Sequence, residues 1–123
     1  MMTINVLIYG GRDFVPTGQD YSWLNAMFRD YAPGEITVIS GEARGADITG
    51  RIWATASGHE VVRYPADWNT HGKAAGFIRN KQMLEEGKPD YAVEFPGGKG
   101  TAHMRGLLDK AGVEVIEYAG GKE

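Results

Sequence analysis

The segment with the strongest chemical signature is a glycine-rich stretch, PGGKGT, which follows an apolar run and precedes a helical pattern. It places Gly97, Gly98 and Gly100 within four positions, which is more glycine than a turn requires. Glycine lets backbone N–H groups approach a ligand with no Cβ in the way, and a helix start adds unpaired N–H groups and the positive end of the helix dipole. Thr101 can cap the helix or donate its hydroxyl to a phosphate, while Lys99 can supply charge or simply be solvated. The spacing matches neither a Walker A loop nor G-x-G-x-x-G, but the residue types predict a phosphate site.

A second loop, SGEARGAD, carries four further candidates. Ser40 and Gly41 can present hydroxyl and N–H groups to an anion. Arg44 stands where a helix begins and can pair with a phosphate. Asp47 falls in the first helical turn, where a carboxylate complements the dipole; contact with a ligand is the alternative.

Arginine and tryptophan residues in other loops complete the candidate set. The turn Gly10-Gly11 leads to Arg12, which can bind a phosphate or a carboxylate. Trp68 can stack on a nucleobase. Arg79 lies in a helix start made of small and apolar residues, where a cation needs a partner such as a phosphate or a carboxylate. The alternative for Arg79 is an ordinary exposed charge.

These loops are positioned by strand and helix patterns that alternate along the whole chain. Apolar, β-rich runs predict strands at 4–9, 36–39, 61–64, 91–95 and 113–118. Continuous apolar runs are typical of strands covered on both faces, whereas the alternation in the last run, VEVIEY, predicts an edge strand. Right-handed crossovers then give an α/β fold: a three-layer, doubly wound sheet of about five mainly parallel strands, with the glycine-rich loops on its carboxyl edge. We expect one domain over residues 1–123.

Helical spacing of apolar residues predicts the faces that cover this sheet. The first helix has Leu24, Phe28 and Tyr31 on one face, the second has Ile48, Ile52 and Ala56, and the fourth has Met104, Leu107, Leu108 and Ala111. The third helix covers roughly residues 73–86 and stops at a Gly-Lys-Pro sequence.

Composition excludes several classes of function. The 123 residues contain no cysteine, which rules out disulfides, a cysteine nucleophile and cysteine-based metal sites. The net charge of -3 argues against a surface that coats nucleic acid. No apolar run approaches the roughly 20 residues needed to span a membrane, and the start lacks the features of a signal peptide, so we expect a cytoplasmic protein. The three histidines show no metal-ligand spacing, and we expect neither a metal nor a cofactor.

Taken in order, the loop motifs resemble those of the SLOG superfamily, and most of all its small YspA/YpsA-related members from bacteria and phages. The matching motifs are GGRDF after the first strand, SGEARGAD after the second, PADW with GKAAGFIRNKQM after the third, and FPGGKGTAHM after the fourth. The resemblance covers residues 3–118. It implies a Rossmann-like fold that binds nucleotides or nucleotide-derived ligands.

The LOG branch of this superfamily, by resemblance, implies a possible reaction. Its members are phosphoribohydrolases, which cleave the N-glycosidic bond of a nucleoside monophosphate, and their motif is P-G-G-x-G-T-x-x-E. Here the motif matches through Thr101, and Arg79 matches the region of the supporting arginine, but Met104 stands at the position of the catalytic glutamate. A thioether cannot transfer a proton, so hydrolysis would need another acid, for which the candidates are Glu42, Asp47, Asp67 and His103.

Two functions from different classes follow. The first is a sensor, carrier or sequestering module that binds a nucleoside phosphate or an ADP-ribose-like ligand through residues 96–101. The second is a nucleotide N-glycosidase with a non-standard acid, for which no catalytic residue is assigned. A DNA-linked role, as the superfamily member DNA-processing protein A implies, is disfavoured by the net charge, and a partner-binding domain with a vestigial cleft is a further alternative.

The resemblance also implies a homodimer or a higher homo-oligomer. Trp23, Met27 and Trp53 can supply an apolar face for it, unless they belong to the core.

Overall fold

The computed structural model of the protein describes residues 3–118. Its elements in chain order are β1 (Ile4–Tyr9), α1 (Gly18–Met27), β2 (Ile36–Ser40), α2 (Ala46–Ala56), β3 (Glu60–Arg63), α3 (Trp68–His71), α4 (Ala75–Gly87), β4 (Tyr91–Glu94), α5 (Lys99–Ala111) and β5 (Glu114–Glu117). A short 3₁₀ turn, Gly72–Ala74, joins α3 to α4.

The five strands form one parallel sheet in the order β3-β2-β1-β4-β5. The chain moves outward from β1 through β2 and β3 on one side, and then crosses to β4 and β5 on the other. The loops that follow β1 and β4 therefore meet at the point where strand order reverses, which is where sheets of this kind bind ligands. The predicted α/β fold with a doubly wound parallel sheet is confirmed, and β5 lies at an edge as expected.

Side chains of β1 alternate between two cores, which makes the fold three-layered. Val6 and Ile8 point to one face of the sheet, where they pack with Trp53 of α2. Leu7 points to the other face, where it packs with Met83 of α4. All five side chains are buried, because helices cover both faces of the central strand.

Helix α2 buries a different face from the predicted one. Ile52 is 47% exposed and Ala56 is exposed, whereas Gly50 and Trp53 face the sheet. The helix approaches β1 so closely that a Cβ on Gly50 would lie 2.6 Å from Ile8 Cγ2. The buried face of α2 is therefore the one that carries Gly50, and the helical spacing of Ile48 and Ile52 does not predict it.

Strand β3 also differs from the prediction. Its apolar sequence indicated cover on both faces, but β3 is the second edge of the sheet, and both Glu60 and Val62 are exposed. A short apolar run does not distinguish an edge strand from an interior one, because its neighbours are set by the topology.

Two helices have different bounds from those predicted. Helix α1 ends at Met27, so that Tyr31 lies in the turn beyond it, and the third predicted helix begins at Ala75 after the 3₁₀ turn. Within residues 3–118, none of the helices has both the length and the apolar character to cross a membrane.

The three residues expected either to form a dimer face or to belong to the core do not share one exposed surface. Trp53 is a core residue, 4% exposed, and its Nε1 donates a hydrogen bond to Asn25 Oδ1 at 2.8 Å. Trp23 is partly buried against Tyr118, with ring centroids 4.5 Å apart, and of the three residues Met27 alone is as much as 39% exposed. A homo-oligomer stays a prediction that this face does not support.

Two glycines inside helices give a matched test of the contact between α2 and β1. Replacing Gly106 by alanine should raise the free energy of unfolding by up to about 1 kcal/mol, because its Cβ would meet nothing within 4 Å and alanine favours a helix. Gly50→Ala has the same gain in propensity, but its Cβ would also lie 2.7 Å from Ile8 Cβ, so overpacking of about 1–3 kcal/mol should outweigh that gain. Urea unfolding of both variants measures the difference; equal stabilisation by both would contradict the close approach of α2.

Candidate functional site

A cleft of about 420 Å³ opens at the carboxyl edge of the sheet, between the start of α5, the loop after β1 and the segment from α3 to α4. Ten of the fourteen predicted ligand-binding residues line it. They are Gly10, Gly11, Arg12, Asp47, Trp68, Arg79, Gly98, Lys99, Gly100 and Thr101. Segments far apart in the sequence are therefore brought to one place by the reversal of strand order.

The turn after β1 is held between the loops that follow β2 and β4 with no space for side chains. A Cβ on Gly10 would lie 2.7 Å from Ala46 Cβ and 2.8 Å from Phe95 Cβ. Gly45 has a φ of +83°, and a Cβ there would lie 2.3 Å from Gly11 O. A hydrogen bond links the first two of these segments, because Gly11 O accepts from Ala46 N at 3.1 Å. Glycine at these positions lets the three loops lock together.

The loop after β4 is attached in the same way. Gly11 N donates to Pro96 O at 2.9 Å, so this amide is already paired. A Cβ on Gly97 would lie 2.6 Å from Gly11 N and 2.0 Å from Thr101 Oγ1. Gly97 therefore fixes the approach to α5 and does not line the cleft.

The N-terminus of α5 is the part of the cleft best suited to an anion. The helix begins at Lys99 after Gly98, and no side chain in the described part of the chain caps it. Its first hydrogen bond runs from Ala102 N to Gly98 O, so the N–H groups of Lys99, Gly100 and Thr101 have no acceptor among residues 3–118. Cβ atoms at Gly98 and Gly100 would meet nothing within 4 Å, which leaves these amides accessible.

The Thr101 hydroxyl adds a donor beside these amides. The residue is 8% exposed, lines the cleft, and makes no side-chain hydrogen bond with the described part of the chain. This hydroxyl at the helix start is therefore placed to donate to a ligand oxygen.

Arg79 is a buried cation in the wall of the cleft, so its interpretation as an ordinary exposed charge is wrong. The side chain is 9% exposed. Nη1 donates to the Gly41 carbonyl, and Nε donates to Asn80 Oδ1 at 3.1 Å. Nη2 has no hydrogen bond to residues 3–118 and lies on the side of Gly76, 3.8 Å from where a Cβ of that glycine would be. Burial lowers the pKa of the guanidinium, and the nearby Asp47 carboxylate opposes this effect.

Asp47 is a buried carboxyl group in the same wall. It is 4% exposed, and its Oδ2 accepts a hydrogen bond from Ala43 N at 3.4 Å. Burial raises the pKa of Asp47 to about 6, although the charge of Arg79 lowers it. The charge of the Asp47 carboxyl group therefore changes at a pH near 6.

Four predicted residues do not reach the cleft. The Ser40 hydroxyl donates to Glu42 Oε2 at 2.8 Å, and the Gly41 carbonyl accepts from Arg79, so both are used within the protein. Arg44 points outward, with Nη2 3.2 Å from Asp13 Oδ1. The fourth is Gly97. Sequence cannot separate these residues from the others, because a loop supplies donors to its own neighbours as readily as to a ligand.

Comparison with known proteins identifies the family. The sequence profile of the YspA, cpYpsA-related SLOG family matches residues 4–71. The chain belongs to this family. It is also 37% identical, over 94 residues, to the Gene 61 protein of Mycobacterium phage D29, an alignment that covers 71% of this chain and 74% of that protein. Membership in the SLOG family suggests a nucleotide-related ligand-binding module.

The SLOG profile covers only the first half of the site. Residues 4–71 include Arg12, Asp47 and Trp68, whereas Arg79 and the start of α5 lie beyond the matched range. The second half of the site is therefore defined by the geometry of α4 and α5, and not by the family profile.

The residues that the sequence did not single out lie mainly on α4. Phe77 is 47% exposed in the cleft and stacks on His103, with ring centroids 4.1 Å apart. Asn80 Nδ2 donates to Gly100 O at 3.3 Å and lies 3.1 Å from His103 Nδ1, so it ties α4 to the start of α5. Lys73 adds a cation at the rim. All three residues lie in the GKAAGFIRN segment, from which the sequence analysis selected only Arg79 as a ligand-binding residue.

The position of the LOG-branch glutamate is apolar here. Met104 is 1% exposed and forms part of the floor of the cleft. Of the four substitute acids, Asp47 lines the cleft, whereas Asp67 caps α3 by accepting from Thr70 N at 3.1 Å. His103 is engaged by Asn80 and Phe77, and Glu42 lies 3.2 Å from Arg51 Nε. Asp47 is therefore the one candidate acid of the four that faces the cleft.

The raised pKa of Asp47 predicts a specific pH dependence of stability. Between its ordinary value of 3.8 and about 6, the folded state keeps a proton that the unfolded chain releases, so the contribution of Asp47 to stability falls as pH rises through this range. Asp47→Asn lacks this titration. The free energy of unfolding of the variant, minus that of the wild type, should therefore increase by up to about 3 kcal/mol between pH 4 and pH 7. Denaturant unfolding across that range measures it, and a difference that is constant with pH would contradict the assignment.

Proposed function

We propose that this SLOG-family chain acts as a single domain that binds a nucleotide or nucleotide-derived ligand, as a sensor, carrier or sequestering module. The observation that carries the proposal is the uncapped N-terminus of α5, whose free N–H groups open on a cleft beside the Thr101 hydroxyl. A helix start of this kind binds phosphate through its N–H groups and its dipole. The phosphate occupies this position, and Arg79 is a buried cation in the lining of the same cleft.

The charge of the cleft supports an anionic ligand. Among residues 3–118, its cationic side chains are those of Arg12, Lys73, Arg79 and Lys99, and its one carboxyl group is that of Asp47. The chain as a whole has a net charge of -3, so positive charge is concentrated at this site. Such a concentration attracts anions from solution and strengthens charge-assisted hydrogen bonds.

The aromatic rim supports a ligand with a flat ring. Trp68 is 46% exposed, and Phe77 is exposed to a similar extent, although both are large apolar residues. Arg12 lies over the Trp68 ring, 4.9 Å from its centroid. Any nucleobase can stack on an exposed aromatic ring, because every base has a flat π-face. The phosphate then fixes the ligand, and the aromatic rim receives the base.

A second candidate function is hydrolysis of the N-glycosidic bond of a bound nucleotide. Asp47 favours it, because a carboxyl group with a pKa of about 6 in the cleft can donate a proton to a leaving base near neutral pH. Met104 argues against it, since the floor of the cleft has no carboxylate where LOG-type enzymes have one.

A pair of glycines on α5 tests the phosphate position. Gly100→Asp places a carboxylate among the first N–H groups of the helix, where it satisfies the helix but repels a ligand phosphate. Calorimetry with a panel of nucleoside monophosphates should show at least a tenfold loss of affinity, with the affinity for the corresponding nucleosides nearly unchanged. Gly106→Asp is the control, because it makes the same substitution at an exposed position of the same helix, outside the cleft. Equal affinities for the two variants would contradict this position.

Chromatography of the wild-type protein after incubation with the same nucleotides separates the two functions. Intact ligand that co-elutes with the protein supports binding alone, and release of the free base supports the glycosidase. Failure of every nucleotide in the panel to bind would overturn the proposal.

A further inference from the structure

A second cavity of about 370 Å³ adjoins the cleft. It is lined by the loop after β2 and by Arg12, Arg44 and Arg79. Four residues line both spaces, among them Arg12, Trp68 and Arg79, so the two cavities meet along a shared wall.

The second cavity presents guanidinium groups that a ligand can engage. Arg44 is paired with Asp13, but the side chains are 76% and 96% exposed, so water screens the pair and a ligand anion can replace Asp13. Of the described residues, Glu42 is the one acidic residue in its lining. The Glu42 carboxylate already receives the Ser40 hydroxyl and lies 3.2 Å from Arg51 Nε, outside the lining, so its charge is balanced from elsewhere.

One anionic group cannot occupy both places. Arg44 lines the second cavity and not the cleft, whereas Gly100 and Thr101 line the cleft and not the second cavity. Trp68, with Arg12 against its ring, stands in the wall between them. The residues predicted to bind phosphate therefore fall into two sets, one in each cavity.

We propose that the second cavity is an anion subsite, and that the ligand carries two anionic groups held apart by an organic spacer. One group lies on the N-terminus of α5, and the other lies between Arg12 and Arg44. The proposal rests on the proposed function, because the cleft must hold the first phosphate. A nucleoside with phosphates on opposite sides of its ribose belongs to this class. A nucleoside diphosphate does not, because its phosphates are adjacent.

Three adenosine probes test the subsite by calorimetry on the full chain: AMP, ADP and adenosine 3′,5′-bisphosphate. The bisphosphate should bind at least tenfold more tightly than AMP. Arg44→Gln should remove most of this gain, while changing the affinity for AMP and ADP less than twofold. Arg29→Gln is the control, because Arg29 is exposed in the turn after α1 and lines neither cavity; it should leave all three affinities unchanged.

The outcomes separate the subsite from the proposed function. If AMP binds but the bisphosphate gains nothing, or if its gain survives Arg44→Gln, the subsite is wrong and the cleft stands. If Arg44→Gln weakens AMP, ADP and the bisphosphate equally, Arg44 acts through general charge and the subsite is also wrong. If none of the three adenosine probes binds, the subsite proposal fails, whereas the proposed function is decided by the full nucleotide panel.

Discussion

The structure of the site depends on the close approach of three backbone segments at the carboxyl edge of the sheet. The turn at Gly10 and Gly11 lies between the loops after β2 and β4, and Cβ atoms at Gly10, Gly45 or Gly97 would meet other atoms at 2.0–2.9 Å. No side chain fits between these segments, so their positions are set by main-chain hydrogen bonds and van der Waals contact. The helix that follows the third segment is thereby held in one orientation relative to β1. The cleft is built on this orientation.

This constraint divides the glycines of the loops into two kinds. The Gly11 N–H donates a hydrogen bond to the Pro96 carbonyl, so this amide holds two loops together and is not available to a ligand. Gly98 and Gly100 have open space where a Cβ would be, at the N-terminus of α5. The buried residues Arg79 and Asp47 then add a cation and a carboxyl group whose charge changes with pH to the wall of the cleft. In our proposal the first anionic group therefore binds at the helix start and its neighbours, and the glycines that hold the loops together take no part in binding it.

Sequence patterns predict the sheet, the order of its elements and the glycine-rich stretch at α5, because strand runs and helix stops are local properties of the chain. They do not separate Gly11 from Gly98, since a glycine that lets a ligand approach and one that lets another loop approach meet the same requirement, the lack of a Cβ. They also do not identify the buried face of α2, where Gly50 rather than Ile52 meets the sheet. Sequence also does not show that Arg79 lines the cleft and Arg44 does not, since both are arginines near a helix start. The topology decides between them. In each case the deciding contact is with a segment distant in the sequence.

The most direct test of the account is a titration of the ¹⁵N-labelled protein with a nucleoside monophosphate, followed through its backbone amide resonances. The amide resonances of Lys99, Gly100 and Thr101 should shift together and with the same dissociation constant, because their N–H groups acquire a phosphate acceptor. The Gly11 amide, already bonded to Pro96 O, should shift much less. Saturating shifts that leave the three α5 amides unchanged and fall elsewhere on the protein would contradict it.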